Sequence, residues 1–200
     1  MPHVPHADAA STAPDAVIAD TRRWLTRAVI GLNLCPFAKA PHTKGQIHYA
    51  VCEGNDAHAL LARLRAELLA LAEAPPEVRE TTLLMAPQGF ADFLAFNDLL
   101  DDADALLAEL GLEGTLQIAP FHPRFQFAGT DEDDITNATN RAPWPTLHLI
   151  REASIDRAVA AFPEAETLYE ANMAALTQLG HAGWAALDVG PGAAKQKGQP

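Results

Sequence analysis

Apolar positions along the chain recur at steps of three and four in some stretches and at steps of two in others, so helices and strands alternate. From Asp15 to Leu32, the residues Val17, Ile18, Leu25, Ala28, Val29 and Leu32 form one helical stripe, with Arg22, Arg23 and Arg27 opposite. Gly31, Asn33 and Pro36 supply its stop signals. Gln46 to Cys52 carries Ile47, Tyr49 and Val51 at period two and reads as a strand. Asp56 to Ala72 returns to helical spacing through Ala57, Leu60, Leu61, Leu64, Leu68 and Leu71, and the Pro75-Pro76 pair ends it. Thr81 to Ala86, bounded by Pro87 and Gly89, reads as a strand buried on both faces. A third helix is predicted over Phe90 to Leu110, with Phe93, Leu94, Leu100, Leu106, Leu107 and Leu110. Leu116 to Ala119 and Thr146 to Ile150 read as strands on either side of an irregular stretch, Pro120 to Pro145. Two helices close the pattern, Ser154 to Phe162 with Ser154 as N-cap, and Glu164 to Leu179, separated by Pro163.

This alternation predicts an α/β or α+β fold. It is a single domain with a mixed or mainly parallel sheet of four to five strands flanked by helices, and a long ordered loop after a central strand. The domain is expected over residues 14–187. Residues 1–13 hold Pro, His, Ala and Asp without a basic start or apolar run, so they read as a disordered arm rather than a secretory signal. Residues 188–200 read as a flexible tail of Gly, Pro, Lys and Gln.

Composition narrows the function classes. Apolar residues make up 48% of the 200, enough for a sizeable core. The 26 acids against 14 bases, a formal charge of -12, argue against general nucleic-acid binding. No apolar run reaches the roughly 18 residues of a membrane span. Two cysteines cannot build a disulfide scaffold, and with cytoplasm as the expected compartment Cys35 and Cys52 are expected as thiols. No Lys or Arg falls between Arg79 and Arg124, whereas Asp98, Asp101, Asp102 and Asp104 lie on the predicted third helix. That face is either solvated or a docking surface for a basic partner.

The candidate chemistry gathers after the Leu116 strand. A loop of this length is functional or disordered more often than not, and Phe121, Phe125, Phe127 and Trp144 in it demand burial. It also follows a strand end, where open α/β sheets bind ligands. His122, Arg124, Asn137, Asn140, Arg141, His148 and Arg151 supply donors for a small anionic ligand. Arg124 and Arg141 offer planar forks for carboxylate or phosphate, His122 can move a proton near neutral pH, and Asn140 can orient a substrate. The same residues can instead satisfy the backbone carbonyls of an irregular loop, and both readings stand at this point. His148 shares a strand face with Thr146 and Ile150, opposite Leu147 and Leu149.

No motif calls for a cofactor, and no cysteine pair or His-Glu-x-x-His helix calls for zinc. Asp131, Asp133, Asp134 and Asn137 match a calcium loop in composition only, with the wrong spacing and no turn glycine. Cys35 follows a predicted helix C-terminus, where the dipole disfavours a thiolate, and reads as a small buried hydrophobe.

Three phrases carry a resemblance. Leu32-Asn33-Leu34-Cys35-Pro36-Phe37-Ala38, the run from Ala119 to Gly129, and the run from Asn137 to Glu152 together resemble the bacterial family called domain of unknown function 1415, over most of residues 20–185. The resemblance implies no assigned activity and carries over no functional residue. Two functions of different class remain. One is a cytosolic enzyme or sensor acting on a small anionic metabolite in a pocket of the 120–145 loop. The other is a non-catalytic interaction or scaffold module using the acidic helix 90–110. The first predicts donors converging on a concave pocket, the second donors engaged with backbone carbonyls.

Overall fold

Four strands form one mixed sheet in the computed structural model, which describes residues 10–161 and 167–192. They are β1 (Ile47–Val51), β2 (Thr81–Met85), β3 (Leu116–Phe121) and β4 (Thr146–Arg151), in the order β1-β2-β4-β3. β1 and β2 are parallel, which requires a crossover, and the helix α3 (Ala57–Glu73) provides it. Asp56 caps that helix, its carboxylate accepting from the Ala59 N–H at 2.8 Å. A second crossover, α4 (Phe93–Glu109), starts at Asp92 with the same cap on Ala95 at 3.0 Å and carries the chain past one strand position to β3. β4 then fills the vacant position, antiparallel to both neighbours. The long loop therefore leaves an edge strand and returns into an interior one, rather than following a central strand as the pattern suggested.

The period-two alternation sorts the sheet residues between two layers. Ala50, Leu84, Leu147 and Leu149 belong to the main core with Leu60, Leu64, Leu68 and Leu71 of α3 and Phe96, Leu99, Ala103 and Leu107 of α4. On the other side Leu83 and Met85 pack with Val17 and Trp144, under the first helix. That helix is not uniform. It runs as α1 (Pro14–Trp24) and widens into a π-helical segment, Leu25–Ile30, where one α-helix was expected. The Thr21 hydroxyl donates to the Val17 carbonyl at 2.8 Å and the Thr26 hydroxyl to that of Arg22, so side chains compete for the ladder around the widening. Trp24 meets Phe121 edge-on at 5.3 Å and anchors the helix to the end of β3.

Several boundaries differ from the pattern for local reasons. A five-residue helix, α2 (Lys39–Thr43), has no buried residue and hence no apolar stripe to announce it. α5 (Glu152–Ala161) starts before Ser154, whose hydroxyl donates to the Glu80 carboxylate at 2.5 Å instead of capping the helix. α6 (Leu168–Ala186) is interrupted by Gly180 at φ 63°, one residue after the expected end. Pro163 lies outside the described residues. Of the segment expected as a tail, residues 188–192 are tied to α1. Arg23 donates to the carbonyls of Asp188 at 2.9 Å and Gly190 at 2.8 Å, and the buried Asp20 accepts from the Gly192 N–H at 2.9 Å. The buried Asp20 and the partly buried Arg23 hold a composition that by itself signals looseness. The remainder of the expected arm and tail, residues 1–9 and 193–200, lies outside the described residues. On α4, Asp98, Asp101, Asp102 and Asp104 are exposed. No described helix is long and apolar enough to cross a membrane.

Candidate functional site

β2 and β3 both run antiparallel to β4, so the segments following them, 86–92 and 122–134, emerge at the same edge of the sheet. The first makes a left-handed turn at Gly89 (φ 81°) and Phe90 (φ 48°). Glycine is required there, because a Cβ would stand 2.4 Å from the Asn55 carbonyl oxygen. The second segment is bound to that turn by His122. Its Nδ1 accepts from the Arg124 N–H at 3.0 Å, which leaves the proton on Nε2, donated to the Phe90 carbonyl at 2.9 Å. His122 is 1% exposed, and the Phe93 and Phe96 rings each stand 5.4 Å from it. Burial pushes its pKa below the usual histidine range, against the opposing effect of the Phe90 carbonyl.

Asn137 performs the same work further along the loop, within a 3-10 segment, Ile135–Asn140. It is fully buried. Its Oδ1 accepts from the Phe127 N–H at 2.9 Å, and its Nδ2 donates to the Asp131 carbonyl at 2.9 Å. Asn140 donates to the Pro120 carbonyl at 3.4 Å, and its own carbonyl accepts from the His122 N–H. Phe93, Phe125, Phe127 and Tyr169 continue as a chain of ring contacts with centroids 4.9–5.8 Å apart, so the loop is seated on aromatic rings as their presence required.

Arg124 and Arg141 close this framework and face outward. Arg141 donates from Nε to the Phe125 carbonyl at 3.1 Å and from Nη2 to the Glu132 carbonyl at 2.5 Å. Arg124 donates from Nη2 to the Ala91 carbonyl and approaches the Asp92 carboxylate at 3.5 Å. With Pro123, Glu132 and Asp133 the two arginines line an open depression of about 420 Å³. Among the described residues, Nε and Nη1 of Arg124 and Nη1 of Arg141 have no protein partner, so each guanidinium keeps donors for a ligand.

The other two expected donors stand elsewhere. His148 projects from the middle of β4, its Nε2 2.8 Å from the Thr81 hydroxyl. That hydroxyl donates to the Leu149 carbonyl at 2.6 Å, so the imidazole donates to it from Nε2. Burial pushes the His148 pKa down to about 4. Arg151 stands at the far end of β4, paired with Leu116 where β3 begins. Its Nη2 donates to the carbonyls of Leu71 and Ala74, both at 2.6 Å, and of Arg79 at 3.1 Å, satisfying the C-terminus of α3. Of the seven residues singled out, Arg124 and Arg141 share a depression. His122, Asn137 and Asn140 build the framework behind it, and His148 and Arg151 are apart from it.

The sequence pattern marked no role for Glu132 and placed Asp133 only in a stretch of calcium-loop composition, yet both line the depression. It also passed over a charge cluster beside β1, where the buried Glu67 carboxylate pairs with Arg63 at 2.8 Å and with Arg79. The i,i+4 spacing of Arg63 and Glu67 was the available signal. Cys35 belongs to the apolar cluster around Trp24 and Ala28, and burial raises its thiol pKa against two backbone N–H donors, Phe37 and Ala38. Among the described residues, no group of three or more His, Cys, Asp or Glu side chains is placed to hold a metal ion.

The family described as "Protein of unknown function (DUF1415)" matches the chain over residues 16–186. No curated protein and no solved structure matches it.

Proposed function

Since the chain belongs to the DUF1415 family, a membership that brings no chemistry with it, we propose from its own geometry that it binds a small anionic metabolite in the depression between Arg124 and Arg141. The observation that carries this reading is the pair of guanidinium groups held by backbone carbonyls on one side and left with unengaged N–H donors on the other. A guanidinium fixed in this way loses little further side-chain freedom when it takes a carboxylate or phosphate. The volume, about 420 Å³, lies within the range of small-molecule sites.

The role is binding or sensing rather than proton transfer. Both ring nitrogens of His122 are bonded to the backbone, so its place in this reading is to hold the loop that presents the arginines. The test is titration of the full chain at low salt with inorganic phosphate, small mono- and dicarboxylates and small amino acids, followed by the Nε–Hε NMR signals of its arginines. Saturable shifts assigned to Arg124 and Arg141, lost in Arg124→Gln and weakened by added salt, are expected. Shifts that persist unchanged in Arg124→Gln, or no shift with any probe, would overturn the reading.

A further inference from the structure

The depression is lined by charges of both signs that do not touch. Arg124 and Arg141 stand on its wall with Glu132 and Asp133. Among the described residues, the carboxylates of Glu132 and Asp133 form no ion pair, although both are exposed and two guanidinium groups border the same space. Burial lowers the Arg141 pKa, and the nearby charges of Glu132 and Asp134 act against that shift. Opposite charges that line one concave site without pairing are a complement for a molecule that carries both.

A plain anion satisfies only half of this wall. Seated against the arginines, it meets two carboxylates with nothing to offset their repulsion, a cost that grows as water leaves the site. An amino-carboxylate answers both halves, its carboxylate on the guanidinium edges and its ammonium toward Glu132 and Asp133. Pro123 is the single apolar residue of the lining, so the wall has no place for a large hydrophobic side chain. Resting on the anion-binding reading above, we infer that the ligand is a small zwitterionic amino-carboxylate, a free amino acid with a polar side chain or a close derivative. Glu132 and Asp133 select it over simple anions.

The experiment is calorimetric titration of the full chain at low salt with three kinds of probe. These are polar L-amino acids one at a time, each amino acid's analogue lacking the α-amino group, and inorganic phosphate. The wild type is compared with Glu132→Gln/Asp133→Asn, two exposed replacements whose folding is checked by thermal melting. At least one amino acid is expected to bind the wild type tenfold or more tightly than its analogue. The double variant should erase that preference, weakening the amino acid and strengthening phosphate several-fold. If phosphate or the analogues bind the wild type as tightly as the amino acids, and the double variant leaves the ratio unchanged, the zwitterion inference fails while anion binding stands. If no probe binds the wild type, both fall together.

Discussion

The Nε2 of His122 lies 2.9 Å from the carbonyl oxygen of Phe90, a residue held in the left-handed region at φ 48°. A non-glycine residue in that region costs energy, and a buried donor from another segment helps to hold it there. His122→Ala removes that donor, leaves the Arg124 N–H without its acceptor, and opens a void under Phe93 and Phe96. The expected loss is about 3 kcal/mol of unfolding free energy, measured by urea denaturation. A loss below about 1 kcal/mol would show that the imidazole does not hold the turn.

His148 makes stability depend on pH. Its pKa is about 4 in the folded chain, against about 6.5 when unfolded. Between these values the unfolded chain binds the extra proton, so the contribution is complete above pH ~6.5 and falls as the pH drops toward 4. The depressed pKa of His122 acts in the same direction. The part assigned to His148 is as much as about 3 kcal/mol. Unfolding free energies of wild type and His148→Gln, measured across this window, should therefore converge as the pH falls. Parallel curves would mean that the imidazole titrates normally in the folded state.

Much of this architecture was readable because it rests on burial. The stripe Leu60, Leu64, Leu68, Leu71 is fully buried in α3, and the alternation in β4 assigned Leu147 and Leu149 to the core and His148 to the other face. The π-helical turn at Leu25–Ile30 was not readable, since its apolar stripe differs little from that of an α-helix. The site was legible in its residue types and not in its convergence. Arg151 is three residues from His148, yet a strand advances about 3.3 Å per residue and carries it to the opposite end of the sheet from Arg124. The partners of the arginines are main-chain carbonyls, which every residue owns and no sequence pattern marks.

Arg124 and Arg141 should separate stability from binding. The Arg124 side chain is 54% exposed, and its contact with Asp92 is screened, so Arg124→Gln should cost less than about 1 kcal/mol. Arg141→Gln deprives the partly buried Phe125 carbonyl and the exposed Glu132 carbonyl of their donors and should cost about 1–2 kcal/mol. Both replacements should weaken binding of whichever carboxylate or phosphate probe occupies the depression. Thermal melts paired with titration check this. Equal, large losses of stability with unchanged binding would make both arginines loop clamps alone.

Arg151 gives the converse case. Its three carbonyl partners end α3 and the turn that follows, and it closes β4 opposite Leu116. Arg151→Met keeps much of the side-chain volume but leaves those carbonyls with no donor, at an expected cost of about 3 kcal/mol. Arg151→Lys retains a charge and a compact ammonium but not the planar fork, and should recover about half of that loss. Because the residue stands at the far end of the strand from the depression, probe affinity in Arg151→Lys should match that of the wild type once folding is complete. Urea denaturation gives the stability order and the same titrations give the affinity. A loss of affinity in a fully folded Arg151→Lys protein would place the binding site at the start of β3 instead of beyond its end.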